Sequence, residues 1–237
     1  GVVPTSRWQE SELTLSMAAR LPAILYGGFL SAAQLFDHEC FGTSRAEALA
    51  MDPQQRGVLE LSLGSLHGAG ATKAELMGSL TGVFLGIWAP EYAEVVHSSP
   101  TGGSVYAVTA ATCSVAAGRV SFVLGLRGPC SSYDTACSSG LVACHSGRRA
   151  LQHAECTRGL VAGVNMIFSP SSCAMCALAG MTSPVGKAHS FDNRADGYVR
   201  AEACATAVLA GESDVAGARA DVSGSAVRQD GRSASLT

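Results

Sequence analysis

The chain has 237 residues, 47% of them apolar, and a net charge of −3. That apolar share supports a sizeable core in one large domain or two small ones, and the charge leaves no basic footprint for nucleic acid. No apolar run approaches a membrane span in length, and the opening Gly1-Val2-Val3-Pro4 lacks the charged start of a signal peptide, so it reads as an internal piece.

In chain order, Ser44-Arg45-Ala46-Glu47 has the form of a capping box for a short helix. Asp52-Pro53 opens another, with Asp as N-cap, Pro at the first helical position and Gln55 as capping-box partner. Val58, Leu59, Leu61, Ser62, Leu63 and Leu66 then give a broad helical face that ends at His67-Gly68-Ala69-Gly70. Gly82 to Trp88 reads as a buried strand. Val115 to Leu126 is ambiguous: its β-branched residues favour a strand, while Ser114 as cap and Gly128-Pro129 as stop favour a helix. Ser131 to Asp134 is strand-like and Leu141 to Gln152 helix-like. Leu160 to Val164 reads as a strand, Ser171 to Leu178 as a helix, and Ala203 to Leu209 and Val222 to Val227 as closing strands. Strands alternating with helices predict a layered α/β domain with a largely buried sheet. The polar stretch from Ser183 to Arg200 is long enough to be a functional loop over a site.

Nine cysteines is an odd count. Charge and size suit an intracellular protein, so the cysteines are expected to be reduced. Cys173-Ala174-Met175-Cys176 has metal-ligand spacing, but a zinc site needs a second ligand pair, and none is evident. No metal is expected.

Cys137 stands apart from the others. It follows the strand-like run, is flanked by small residues, and precedes a helix for which Ser138 or Ser139 could serve as N-cap. The positive end of a helix dipole favours a thiolate there, and small neighbours leave room for substrate. This is the setting of a nucleophilic cysteine; a small buried core cysteine is the alternative.

The surrounding Asp134-Thr135-Ala136-Cys137-Ser138-Ser139-Gly140-Leu141-Val142-Ala143 resembles the active-site signature of β-ketoacyl synthases, usually D-T-A-C-S-S-S-L. Further blocks follow in the family's order. They include Gly27-Gly28-Phe29-Leu30, Leu35-Phe36-Asp37, Ala50-Met51-Asp52-Pro53-Gln54-Gln55-Arg56 and Ser114-Val115-Ala116-Ala117-Gly118-Arg119. Gly163-Val164-Asn165, Ala179-Gly180-Met181, Asp196-Gly197-Tyr198-Val199-Arg200 and Gly224-Ser225-Ala226-Val227 continue the series. The A-M-D-P-Q-Q-R and D-G-Y-V-R versions look most like modular polyketide synthases. The resemblance decides for a helix at Val115 to Leu126. It implies the thiolase-like fold, two similar halves stacked as α-β-α-β-α. Residues 1–237 would form most of the N-terminal half, with the family's first strand before Gly1 and its second half after Thr237.

The resemblance also implies chemistry. Cys137 would take an acyl group from an acyl carrier protein, whose phosphopantetheine is the only prosthetic group involved. A malonyl-type extender would then be decarboxylated and condensed onto that acyl group. Family members are homodimers, pairing the strand before the nucleophile with its copy. Two histidines in H-G-T-G-T and K-x-N-I-G-H motifs serve the condensation; neither motif is in this sequence, so the chain alone is not expected to condense. His145 follows Cys137 by eight positions, roughly 12 Å along a helix, too far for a hydrogen bond, and His153 is further along. His189 falls in the polar loop, while His38, His67 and His97 look solvated.

Several residues depart from the family pattern. Ala201-Glu202-Ala203 replaces G-E-G, where alanine could strain the backbone. Gly140 replaces a serine, Ala162 a glycine and Arg228 an asparagine. Two other readings compete with the acyltransferase. One is a degenerate half used for dimerisation or carrier docking, which the lost glycines favour and Cys137 opposes. The other is a cysteine hydrolase built on a strand–nucleophile–helix turn, which lacks both the G-x-[SC]-x-G pattern and a base.

Overall fold

The computed structural model describes residues 1–8, 21–88, 90–99, 103–110, 112–211 and 218–233. Among the described residues four short or medium helices come first: α1 (Leu21–Ile24), α2 (Arg45–Ala50), α3 (Pro53–Gly68) and α4 (Lys73–Leu76). They lead into β1 (Thr81–Ile87), α5 (Pro90–His97), α6 (Ala107–Ala110), α7 (Cys113–Leu124) and β2 (Cys130–Tyr133). Then come α8 (Ser139–Gln152), β3 (Arg158–Asn165), α9 (Pro170–Leu178) and β4 (Ala203–Ala210). The strands form one sheet in the order β2-β1-β3-β4. β1 runs parallel to β2 and β3, and β4 is antiparallel to β3.

Every residue of β1 is buried, because helices cover both faces of the sheet. Val83, Leu85 and Ile87 face a core that includes Val58, Leu59 and Leu66 of α3 and Ala116, Val120 and Leu124 of α7. Phe84 faces the other way, with Val161 of β3, onto Ala143 and Ala150 of α8. Alternation in a doubly covered strand therefore sorts apolar side chains between two cores.

The motif residues of α3 hold the layers together. Asp52 caps the helix by accepting from Gln54 N–H at 2.7 Å. Gln54 also reaches β3's end, where its Oε1 accepts from Met166 N–H at 3.0 Å. Gln55 does not close a capping box: its amide donates to the Thr109 and Ala110 carbonyls, and its Oε1 accepts from Arg119. Glu47 likewise completes only half of its box. Its N–H binds Ser44 Oγ, but its carboxylate pairs with Arg119. In both cases a buried guanidinium competes successfully for the side chain expected to cap.

The chain leaves β3 through four consecutive amides, each taken by a buried side chain. After Met166, Ile167 N–H donates to Glu202, and Phe168 and Ser169 N–H both donate to Glu91 Oε2. Arg7 and Arg200 balance these two acids, at 2.8 and 3.1 Å. A backbone leaving a sheet inside the protein needs such partners.

Three expectations are corrected. α7 starts at Cys113, one residue before Ser114, and stops at Gly125, whose φ of +69° makes a left-handed C-cap upstream of Gly128-Pro129. Residues 222–227 form no strand; this segment is exposed, and its bonds go to α8, where Arg148 Nη2 donates to Ser223 O and His145 meets Ser225. A strand needs a neighbour's edge, and local β-propensity does not supply one. Ala201 and Ala203 are absent from the positive-φ residues, so alanine replaces glycine there without backbone strain.

Candidate active site

Tyr133, the last residue of β2, pairs with Gly86 on β1, and Gly86 pairs with Gly163 on β3. The turn Asp134–Ser138 therefore leaves the sheet at the carboxyl ends of its parallel strands, where ligands bind in open α/β sheets. A Cβ on Gly86 would lie 2.6 Å from both Gly140 N and Ser139 C. Its absence lets the mouth of α8 rest directly on β1.

The turn's own side chains hold it. Asp134 Oδ1 accepts from Ala136 N–H at 3.2 Å. Ser139 Oγ accepts from Thr135 N–H at 2.8 Å and donates to the Ala136 carbonyl at 2.7 Å. Ser138 Oγ donates to the Thr135 carbonyl at 2.8 Å. Neither serine caps the helix as expected: Ser138 sits at the N-cap position without a capping bond, and Ser139 is already helical with its hydroxyl turned back. Ala136 has φ +55°, a left-handed conformation that costs an L-residue about 1–2 kcal/mol. Cys137 follows it and is exposed.

The other cysteines sit differently. Burial pushes up the thiols of Cys156 and Cys173, and with help from Glu60 it pushes Cys204 up to about 12. These stay protonated at neutral pH and react poorly. Cys40 and Cys130 are exposed like Cys137, but Cys40 lies in a loop turn and Cys130 begins β2. Among the described residues no group of three or more His, Cys, Asp or Glu could hold a metal, and no helix is long and apolar enough to cross a membrane.

His145 and His153 find partners elsewhere. His145 Nδ1 lies 2.9 Å from Ser225 Oγ, and His153 Nε2 lies 2.7 Å from Arg149 Nη2. His38, expected in solvent, is half-buried, with Nδ1 2.9 Å from the Thr43 carbonyl. The Ser183–Arg200 stretch is an irregular loop closed by Ser183 N–H donating to Tyr198 O. It carries His189 and Phe191 at φ +49° and +61°, with Phe191 fully exposed.

The sheet, parallel at its centre and covered by helices, with an exposed cysteine at the mouth of α8, has the thiolase-like fold. Solved ketosynthases share it. The ketosynthase from module 6 of the bacillaene synthase of Bacillus subtilis 168 superimposes with a TM-score of 0.78 at 32% identity, over 90% of this chain and 35% of that one. The oxazolomycin ketosynthase domain OzmH KS7 of Streptomyces albus JA3453 gives 0.79 at 31% identity, over 90% and 38%. The chain belongs to the β-ketoacyl synthase family: residues 1–215 match the model of the β-ketoacyl synthase N-terminal domain.

Relatives in sequence are polyketide synthases. A mycocerosic acid synthase-like polyketide synthase of Mycolicibacterium smegmatis is 37% identical over 99% of this chain. The highly reducing polyketide synthase 40 of Fusarium pseudograminearum is 41% identical over 83%. The chain spans 11% and 8% of the length of these two relatives.

Proposed function

We propose that this chain is most of the N-terminal half of a ketosynthase domain within a polyketide synthase, and that Cys137 is its acyl-accepting nucleophile. The observation that carries the reading is Cys137 itself. It is an exposed thiol placed by a left-handed residue at the start of α8, at the carboxyl ends of the parallel strands. In the proposed reaction the Cys137 thiolate attacks an acyl thioester on the phosphopantetheine of an acyl carrier protein and releases the carrier thiol. A malonyl-type thioester loses carbon dioxide, and the resulting carbanion attacks the Cys137 thioester. A carbon–carbon bond forms and the Cys137 thiolate leaves. Charge developing on the enolate and oxyanion needs preorganised donors, which the resemblance assigns to two histidine motifs outside this sequence.

The degenerate reading loses its support, since the alanines that replace glycines carry ordinary φ. The hydrolase reading gains no base from His145, whose Nδ1 lies 2.9 Å from Ser225 Oγ. The test is peptide mass spectrometry of the whole synthase after incubation with an acyl thioester. Acyl mass on the Cys137 peptide, lost in Cys137→Ala, is expected. Acylation that persists in Cys137→Ala would sink the assignment.

We also propose a homodimer built on β2. This strand is the outer edge of the sheet, with exposed Cys130 and half-buried Ser131 to Tyr133. A groove of about 430 Å³ runs along it, lined by Cys113, Ser114 and the strand. An edge that no other strand of the described residues covers invites pairing with a second copy.

A further inference from the structure

We infer that Ser139 is a positioning residue for Cys137, acting through the backbone of the intervening turn. The inference rests on the reading of Cys137 as the nucleophile and goes beyond it by assigning what aims the thiol.

Ser139 is only 7% exposed, and its hydroxyl has both of its roles filled within the turn. It accepts from Thr135 N–H at 2.8 Å and donates to the Ala136 carbonyl at 2.7 Å. Those two groups flank the Thr135–Ala136 link and the φ of Ala136. Ala136 carries a side chain and gains nothing from φ +55°; glycine would adopt it freely, and alanine must be held there. Asp134 holds the Ala136 amide and Ser139 the Ala136 carbonyl, so the residue before Cys137 is gripped on both sides. Ser139 is itself immobile, being the first residue of α8 with its backbone against Gly86. The hydroxyl thus transfers the rigidity of the sheet to the turn. Without it, Thr135 N–H loses its partner and the Ala136 carbonyl keeps only the Ser139 N–H at 3.1 Å, so the grip on Ala136 loosens; Ala136 relaxes toward negative φ, which swings Cys137 away from its outward aim.

The test uses the whole synthase with Ser139→Ala and Ser139→Thr. Three quantities are read: the rate of Cys137 acylation as kcat and KM, the rate of Cys137 alkylation by iodoacetamide relative to Cys40 in the same chain, and folding by circular dichroism. For Ser139→Ala, kcat is expected to fall at least about tenfold, the equivalent of roughly one hydrogen bond lost from the reacting geometry, with KM unchanged. Cys137 alkylation should slow relative to Cys40. Ser139→Thr restores the hydroxyl and should return both rates to within about threefold of the parent. If Ser139→Ala fails to fold, Ser139→Thr against Ser139→Val repeats the comparison with side chains of one shape that differ in the hydroxyl. Equal rates in Ser139→Ala and the parent overturn the inference, as do equal rates in the Thr variant and the variant lacking a hydroxyl. Alkylation needs no enzymatic step, so it still reports on Ser139 if Cys137 proves not to be the acylated residue.

Discussion

Arg119 Nε donates to Gln55 Oε1 at 2.7 Å, joining α7 to α3 beneath the sheet. The same guanidinium pairs with Glu47 of α2, so one buried cation ties three helices together. Gln55→Leu would remove the acceptor of the Nε–H and the amide that donates to the Thr109 and Ala110 carbonyls. Stability should fall by about 2 kcal/mol, seen as a lower urea midpoint with unchanged slope. A midpoint equal to the parent's would show that water replaces the amide.

Asp52 gives a pH dependence of unusual sign. Burial pushes its carboxyl up to about 6 against the bonds from Gln54 and the charge of Arg56, with Glu91 adding to the rise. The folded state therefore holds this proton more tightly than the unfolded chain. Below the unfolded value near 4 both states are protonated and nothing is lost; above about 6 the full cost of the buried charge is present. Asp52→Asn keeps a capping oxygen and cannot ionise. Its stability relative to the parent should improve between pH 4 and pH 7 by on the order of 3 kcal/mol. Urea titrations at the two pH values measure it, and parallel curves would contradict the account.

Gly86 and Gly140 should respond in opposite ways. A methyl on Gly86 meets backbone atoms of Ser139 and Gly140 at 2.6 Å, and neither can move aside cheaply. Gly86→Ala should destabilise by about 1–3 kcal/mol or more and slow Cys137 acylation by shifting the helix mouth. A methyl on Gly140 meets nothing within 4 Å, so Gly140→Ala should stabilise by up to about 1 kcal/mol. Thermal unfolding of the two variants against the parent checks both.

The proposed dimer makes a further prediction. Cys130 is exposed on the outer strand β2, so Cys130→Lys would set like charges near one another across a two-fold axis. The synthase should sediment as a dimer at micromolar concentration, and the variant should shift toward monomer. A monomeric parent removes the proposal.

The amino-acid order alone was enough to place most elements, because their signals are local. Asp52-Pro53 marks a helix start through capping and the ring of proline, and apolar runs such as Gly82 to Trp88 mark buried strands, here Thr81–Ile87. It was also enough to single out Cys137, since a cysteine among small residues between a strand and a helix is a local pattern. What the fold alone decided was which partner each polar side chain takes. Glu47 and Gln55 look like capping residues until Arg119 arrives from a helix more than sixty positions away. Val222 to Val227 looks like a strand until no edge receives it. The aim of Cys137 belongs to the same class. Nothing in the residue type of Ala136 calls for positive φ, and only the packed turn, with Ser139 anchored on β1, imposes it. Propensity and capping act over a few residues, whereas buried polar groups must be satisfied by whatever the tertiary structure brings within reach.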